Sequence, residues 1–138
     1  MTPPDALRDL LRRARTIAVV GLSPKPIRPS HSVARYLRGA GYRIVPINPG
    51  HDEILGEKSY PTLAAAARDH RIDVVDVFRR SEHAGAVVDA ALVLSPPPQL
   101  IWLQQGVEDQ AAEQRAVAAG IPFVMDSCLA VEHRHLEV

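Results

Sequence analysis

Gly21, Ser23, Lys25, Arg28 and Ser30 fall within one ten-residue stretch, and together they supply what a phosphate group needs. The apolar run Thr16-Ile17-Ala18-Val19-Val20 stops at Gly21. A polar, cationic loop through Leu22 to Ser30 then leads into a helical pattern. In an α/β protein that junction is where backbone N–H groups and a helix N-terminus converge on a phosphate. Gly21 lets the chain turn sharply and a ligand approach the backbone. Ser23 and Ser30 offer hydroxyl donors, and Lys25 and Arg28 offer charge for phosphate oxygens. Pro24, Pro26 and Pro29 restrict the loop and reduce the ordering cost of binding. The alternative is a proline-rich surface connection whose cations are solvated.

The common dinucleotide fingerprint fits poorly. It wants glycine at the third position of this turn, where the chain has Ser23, and an acid at the end of the second strand, where it has Asn48-Pro49. Asp52 and Glu53 come later and read as solvated loop residues. An NAD(P)-type redox or sensor protein therefore stands as a rival reading. Phe78 could wall a slot for a base, and Arg79 or Arg80 could meet a phosphate, with one of the two paired to Glu82 or Asp76. Gln104 and Gln105 present amides suited to an adenine edge or an amide-containing tail. Cys128, near Asp126 and Ser127, is read either as a small buried hydrophobe or as a thiol facing the ligand. The six histidines are scattered without HExxH or Cys-paired spacing, so no metal site is expected.

Strand and helix patterns alternate along the chain to position these residues. Pro3 and Pro4 suit the first turn of a helix over 3–14, whose other face carries Arg8, Arg12, Arg13 and Arg15. Strands are expected at Ile17–Val20, Tyr42–Ile47, Ile72–Phe78, Gln99–Leu103 and Ile121–Met125. Helices are expected at Ser32–Ala40, Thr62–His70, Ser81–Leu94 (Ser81 as N-cap) and Glu108–Ala119. Pro46 cannot donate to a ladder, so the second strand should lie near an edge or terminate there. Short connections predict a single α/β domain, a Rossmann-like doubly wound sheet of five parallel strands in the order 3-2-1-4-5, spanning 16–125. A polar, largely irregular tail is expected over 126–138. Ligands of such sheets lie at the carboxyl ends of the strands, which brings the loops named above to one edge.

The chain has 138 residues, with sixteen basic and sixteen acidic side chains. That balance gives no global field for nucleic acid or an anionic membrane, so any anion site is made locally. Aromatic residues are only 4%, which disfavours a base-stacking surface. One cysteine excludes an internal disulfide framework. The sequence shows no signal peptide or membrane span, so a cytoplasmic protein is expected. An exposed edge strand and the N-terminal helix leave a homodimer open.

The motif Val20-Gly21-Leu22-Ser23-Pro24-Lys25-Pro26 with Arg28-Pro29-Ser30 resembles the first loop of the small bacterial CoA-binding proteins. These are stand-alone domains related to the CoA-binding part of the succinyl-CoA synthetase α subunit. Further matches are Val45-Pro46-Ile47-Asn48-Pro49, Asp73 to Arg79, Trp102 to Val107 and Val124 to Cys128, so the resemblance covers about residues 14–135. It implies coenzyme A bound along the carboxyl edge of the sheet. Gly21, Leu22, Ser23 and Lys25 would hold the pyrophosphate region, with Arg28 and Ser30 supporting it. Asn48 and Pro49 would lie beside the nucleotide, Phe78 and Arg79 at the next strand end, and Gln104 and Gln105 on the far side. Ser127 and Leu129 depart from the family's usual basic residue and proline. The resemblance implies a module that binds CoA or an acyl-CoA without catalysis of its own. An acyl-CoA-dependent enzyme using Cys128 or a histidine is the alternative.

Overall fold

The β-branched run from Thr16 to Val20 forms β1, all five residues buried, at the heart of a computed structural model that describes residues 2–138. Four more parallel strands complete its sheet: β2 (Arg43–Ile47), β5 (Val74–Val77), β6 (Leu100–Leu103) and β7 (Phe123–Val124). Between β2 and β5 a small antiparallel hairpin intervenes, β3 (Glu53–Ile54) and β4 (Glu57–Lys58). Its turn places Leu55 and Gly56 at φ of 56° and 72°, the paired positive angles of a tight hairpin turn. The sequence reading had no strand here, because Leu-Gly lacks the Asn or Asp that usually marks such turns.

Among the described residues, six helices cover the sheet. On one face lie α1 (Pro4–Arg13), α2 (Pro29–Gly39) and α6 (Leu129–His135), whose apolar residues pack with Ile17, Val19, Ile44, Val74 and Trp102. On the other lie α3 (Leu63–Asp69), α4 (Ser81–Leu92) and α5 (Gln110–Ala118), packed on Ala18, Val45, Val75, Val77 and Ile101. The expected class, a five-stranded doubly wound parallel sheet, is thus the observed one.

The strand order needs correcting. The sheet runs β2-β1-β5-β6-β7, which in the count of five is 2-1-3-4-5 rather than 3-2-1-4-5. The third strand pairs with β1, Ile17 opposite Val74 through Val20 opposite Val77, and not with β2. Pro46 gives the reason. Its carbonyl accepts from the Tyr60 N–H at 3.0 Å on the outer side of β2. Its own nitrogen faces the same side, because N and O of a strand residue point together, and it has no hydrogen to offer a further strand. β2 is therefore an edge, covered locally by the Tyr60 segment, and β5 finds its two neighbours in β1 and β6.

Element boundaries also moved, three of them next to the strand ends where a ligand would lie. α2 starts at Pro29 rather than Ser32, with Arg28 as N-cap and proline in the first position, where its missing N–H costs nothing. The N-cap of α4 is Arg80, not Ser81; the Ser81 hydroxyl instead accepts from Glu108 N at 2.9 Å. The tail beyond 126 is not irregular but folds into α6. Its buried Leu129, Ala130 and His133 recur at helical spacing. Arg8 Nε donates to the Leu136 carbonyl at 2.6 Å, and Tyr36 Oη meets His133 Nδ1 at 2.8 Å, which ties α6 to α1 and α2. Burial and the nearby Arg134 hold the His133 imidazole below its ordinary pKa.

Candidate functional site

With the order 2-1-3-4-5, the chain leaves β1 toward one edge and β5 toward the other. The crevice at the carboxyl ends of these two strands is the topological switch point where such sheets hold ligands. Phe78 N donates to the Val20 carbonyl at 2.8 Å, so the β1 and β5 exits stay paired past the strand ends. Gly21 has φ of +87°, and a β-carbon there would stand 2.6 Å from the Phe78 carbonyl oxygen and 3.2 Å from Arg79 Cδ. The glycine thus serves close packing of two strand exits and lets the Arg79 stem lie across it.

The loop after Gly21 is built by its serines. Ser30 Oγ accepts from Ser23 N at 2.9 Å, and Ser23 Oγ accepts from Lys25 N at 3.1 Å. His31 Nδ1 lies 3.0 Å from the Ser23 carbonyl oxygen. A turn from Lys25 to Arg28, closed by Arg28 N to the Lys25 carbonyl at 3.0 Å, delivers the chain to α2. No side chain among the described residues caps that helix, so the positive end of an eleven-residue helix opens on the crevice that its first residues, Pro29 and Ser30, line.

An open cleft of ≈ 700 Å³ occupies this place. Gly21, Ser23, Arg28, Pro29 and Ser30 line one wall and Phe78, Arg79 and Arg80 the next; Gln104, Gln105 and Cys128 close the far end, with Val33 and Val107 as apolar floor. Its charged side chains are all arginines. Arg80 pairs with Glu82 at 3.6 Å, the pairing expected for one of the two neighbouring arginines. Arg28 and Arg79 have no carboxylate at ion-pair distance among the described residues. A chain of zero net charge therefore concentrates unopposed cations at one site.

Not every expected residue lines this cleft. Leu22 is fully buried in the core beneath. Lys25 and Pro49 are exposed and lie outside it. Asn48 is spent on the fold: its Nδ2 donates to the Leu22 carbonyl at 3.0 Å and its Oδ1 accepts from Gly50 N at 2.9 Å. Gln104 is only 4% exposed, and its Oε1 accepts from Leu129 N at 3.0 Å, which fastens the start of α6 to the end of β6. Val33 and Val107 were missed. Val33 could have been found from its place one turn beyond Pro29 on the sheet-facing side of α2.

One layer beneath Phe78 and Gln104, Asp76 is fully buried in the central strand between Val19 and Trp102. Neither carboxyl oxygen has a hydrogen-bond partner among the described residues. Burial pushes its pKa well above the usual carboxylate range.

A family model described as CoA binding domain matches residues 15–134. Over 127 residues the chain is 41% identical to an uncharacterized protein of Bacillus subtilis, YneT, covering 92% of this chain and 91% of the relative. A solved structure from Thermus thermophilus is 39% identical with a TM-score of 0.86, covering 97% of this chain and 98% of that one. A hypothetical protein from Pyrococcus horikoshii is 32% identical with a TM-score of 0.91, covering 99% and 93%.

Proposed function

The chain belongs to the CoA-binding domain family, and from that premise we propose that it holds coenzyme A in the cleft between the β1 and β5 exits. The observation that carries this reading is a cleft whose charged side chains are all arginines, two of them unpaired. Coenzyme A bears a pyrophosphate and a separate ribose phosphate, and such a ligand calls for dispersed cations rather than an acid at the second strand. The uncapped start of α2, the Ser23–Ser30 loop and Arg28 take the pyrophosphate; Arg79 takes a further phosphate oxygen. Phe78 offers an apolar face, and the amides of Gln104 and Gln105 suit a tail that contains amides.

The reading is binding without catalysis. Free CoA and acyl-CoA share every group this cleft addresses, so both are expected ligands. No helix of the described residues is long and apolar enough to cross a membrane.

Calorimetric titration of the purified chain with CoA tests the proposal. Saturable binding with a Kd on the order of micromolar is expected, lost in the Arg28→Ala/Arg79→Ala variant. A folded protein that shows neither heat nor saturation overturns it. A thermal-shift panel of CoA, acetyl-CoA, NAD, NADP and ATP separates the rival dinucleotide reading, since only ligands of the native state raise Tm.

A further inference from the structure

The two edges of the sheet differ. At β2 the Tyr60 segment covers the outer side through the bond from its N–H to the Pro46 carbonyl. At β7, the other edge, no segment among the described residues is bonded to the outer side. Ile101 N donates to the Pro122 carbonyl at 3.1 Å, and Phe123 stands opposite Ile101. In a parallel ladder that register turns the N–H and C=O of Phe123 away from β6. Neither has a hydrogen-bond partner among the described residues.

A groove of ≈ 820 Å³ follows this edge and continues onto both faces of the sheet. Leu7, Trp102 and Val124 line it on the α1 and α6 side, and Val117, Ala118 and Phe123 on the α5 side. Each side also carries one acid, Glu132 on α6 and Glu113 on α5. Among the described residues neither acid has an ion-pair partner, and no lysine, arginine or histidine lines the groove. Unpaired strand groups between two apolar flanks favour the addition of an extended segment. Successive side chains of such a segment fall on opposite faces, so each flank takes every second residue. Charge then selects the occupant. The same groove of a second copy would bring the same carboxylates and no cation to meet them, whereas a basic segment matches both.

We propose that the β7 edge is a docking site for an extended segment of another protein. The segment is apolar at its centre, carries lysine or arginine on either side, and joins the sheet as a further strand.

The test titrates the intact chain with the blocked hexapeptide Lys-Lys-Val-Val-Lys-Lys, which presents one valine between two lysines on each face. Its counterpart with glutamate for lysine is the control. Emission from Trp102, the chain's one tryptophan and a groove residue, reads binding. The lysine peptide is expected to saturate and to bind at least about tenfold more tightly than the control, with a smaller margin as salt is added. Glu113→Gln/Glu132→Gln should cut its affinity at least about fivefold while a cooperative thermal melt is kept. Hydrogen exchange at the Phe123 amide should slow in the complex, since that N–H gains an acceptor. Equal affinities for the two peptides, or saturation with neither, overturn the proposal on the native sequence alone. Full affinity in the folded double variant overturns it too. Binding that leaves exchange at Phe123 unchanged overturns strand addition. A chain that sediments as a dimer, with the Phe123 amide protected there and freed on dilution, overturns the proposal because a second copy then fills the edge.

Discussion

Gly21 and Phe78 pack so closely at the ends of adjacent strands that a β-carbon on residue 21 would stand 2.6 Å from the Phe78 carbonyl oxygen. Backbone cannot yield as a flexible side-chain tip can, and the φ of +87° at Gly21 is itself unfavourable for any side chain. Gly21→Ala is expected to cost about 2–3 kcal/mol and to weaken CoA binding, because the strand exits must separate and Arg79 must move with them. Denaturant melts and titrations read both effects. An unchanged midpoint would show that the exits are free to shift.

The two neighbouring arginines should behave differently. Arg80 already pairs with Glu82 at 3.6 Å, while the Arg79 stem lies against Gly21 and its guanidinium has no acidic partner among the described residues. Arg79→Ala is expected to weaken CoA about tenfold, the loss of one charge-assisted hydrogen bond, and Arg80→Ala about twofold or less. Added salt should narrow the difference. Equal losses from the two variants would refute the assignment.

Ser30 joins the loop to the helix. Its buried hydroxyl accepts from Ser23 N at 2.9 Å, so Ser30→Ala leaves that N–H without its partner and loosens the turn toward α2. The expected stability loss is about 1 kcal/mol, with a roughly fivefold weaker CoA complex because the loop must be ordered on binding. Calorimetry beside a thermal melt measures both. Full affinity in this variant would mean the loop is held by its prolines alone.

Much of this was legible from residue order. The Gly21 junction, the alternation of strand and helix and the cluster of polar residues at the strand ends are local signals, and they sufficed for the fold class and most of the cleft lining. Pro46 even carried the information that corrects the strand order, since a proline with its nitrogen toward the open side of β2 suits an edge. Pairing partners depend on the whole sheet, and one residue's signal was outweighed by the commoner order. Glu132, Arg134 and His135 masked the stripe of Leu129, Ala130 and His133 that docks α6. Leu22 and Asn48 were read as ligand contacts because they sit beside the site in sequence. The Gly21 turn carries Leu22 into the core on the face of Ile17 and Val19, and the Asn48 amide satisfies backbone groups that a turn leaves open.

Asp76 offers a test of the sheet's interior. Asp73, three residues earlier, accepts from Arg15 N at 2.9 Å and Thr16 N at 3.0 Å through one oxygen, whereas Asp76 is fully buried with both oxygens unpartnered. Desolvation raises the Asp76 pKa well above its ordinary value. Above about pH 4 the unfolded chain has lost this proton while the native state keeps it. The native state then binds more protons than the unfolded one, so this group's contribution to stability falls as pH rises toward the folded pKa. The slope is at most about 1.4 kcal/mol per pH unit. Asparagine keeps a neutral group of similar shape at every pH. The Tm of Asp76→Asn should therefore gain on that of the wild type as pH is raised from about 5 to about 8. His133, whose lowered pKa makes stability fall as pH drops below its ordinary value, is present in both proteins and cancels in the difference. A Tm difference that stays constant across that range would mean that Asp76 is ionised in the folded protein, with a partner for its charge.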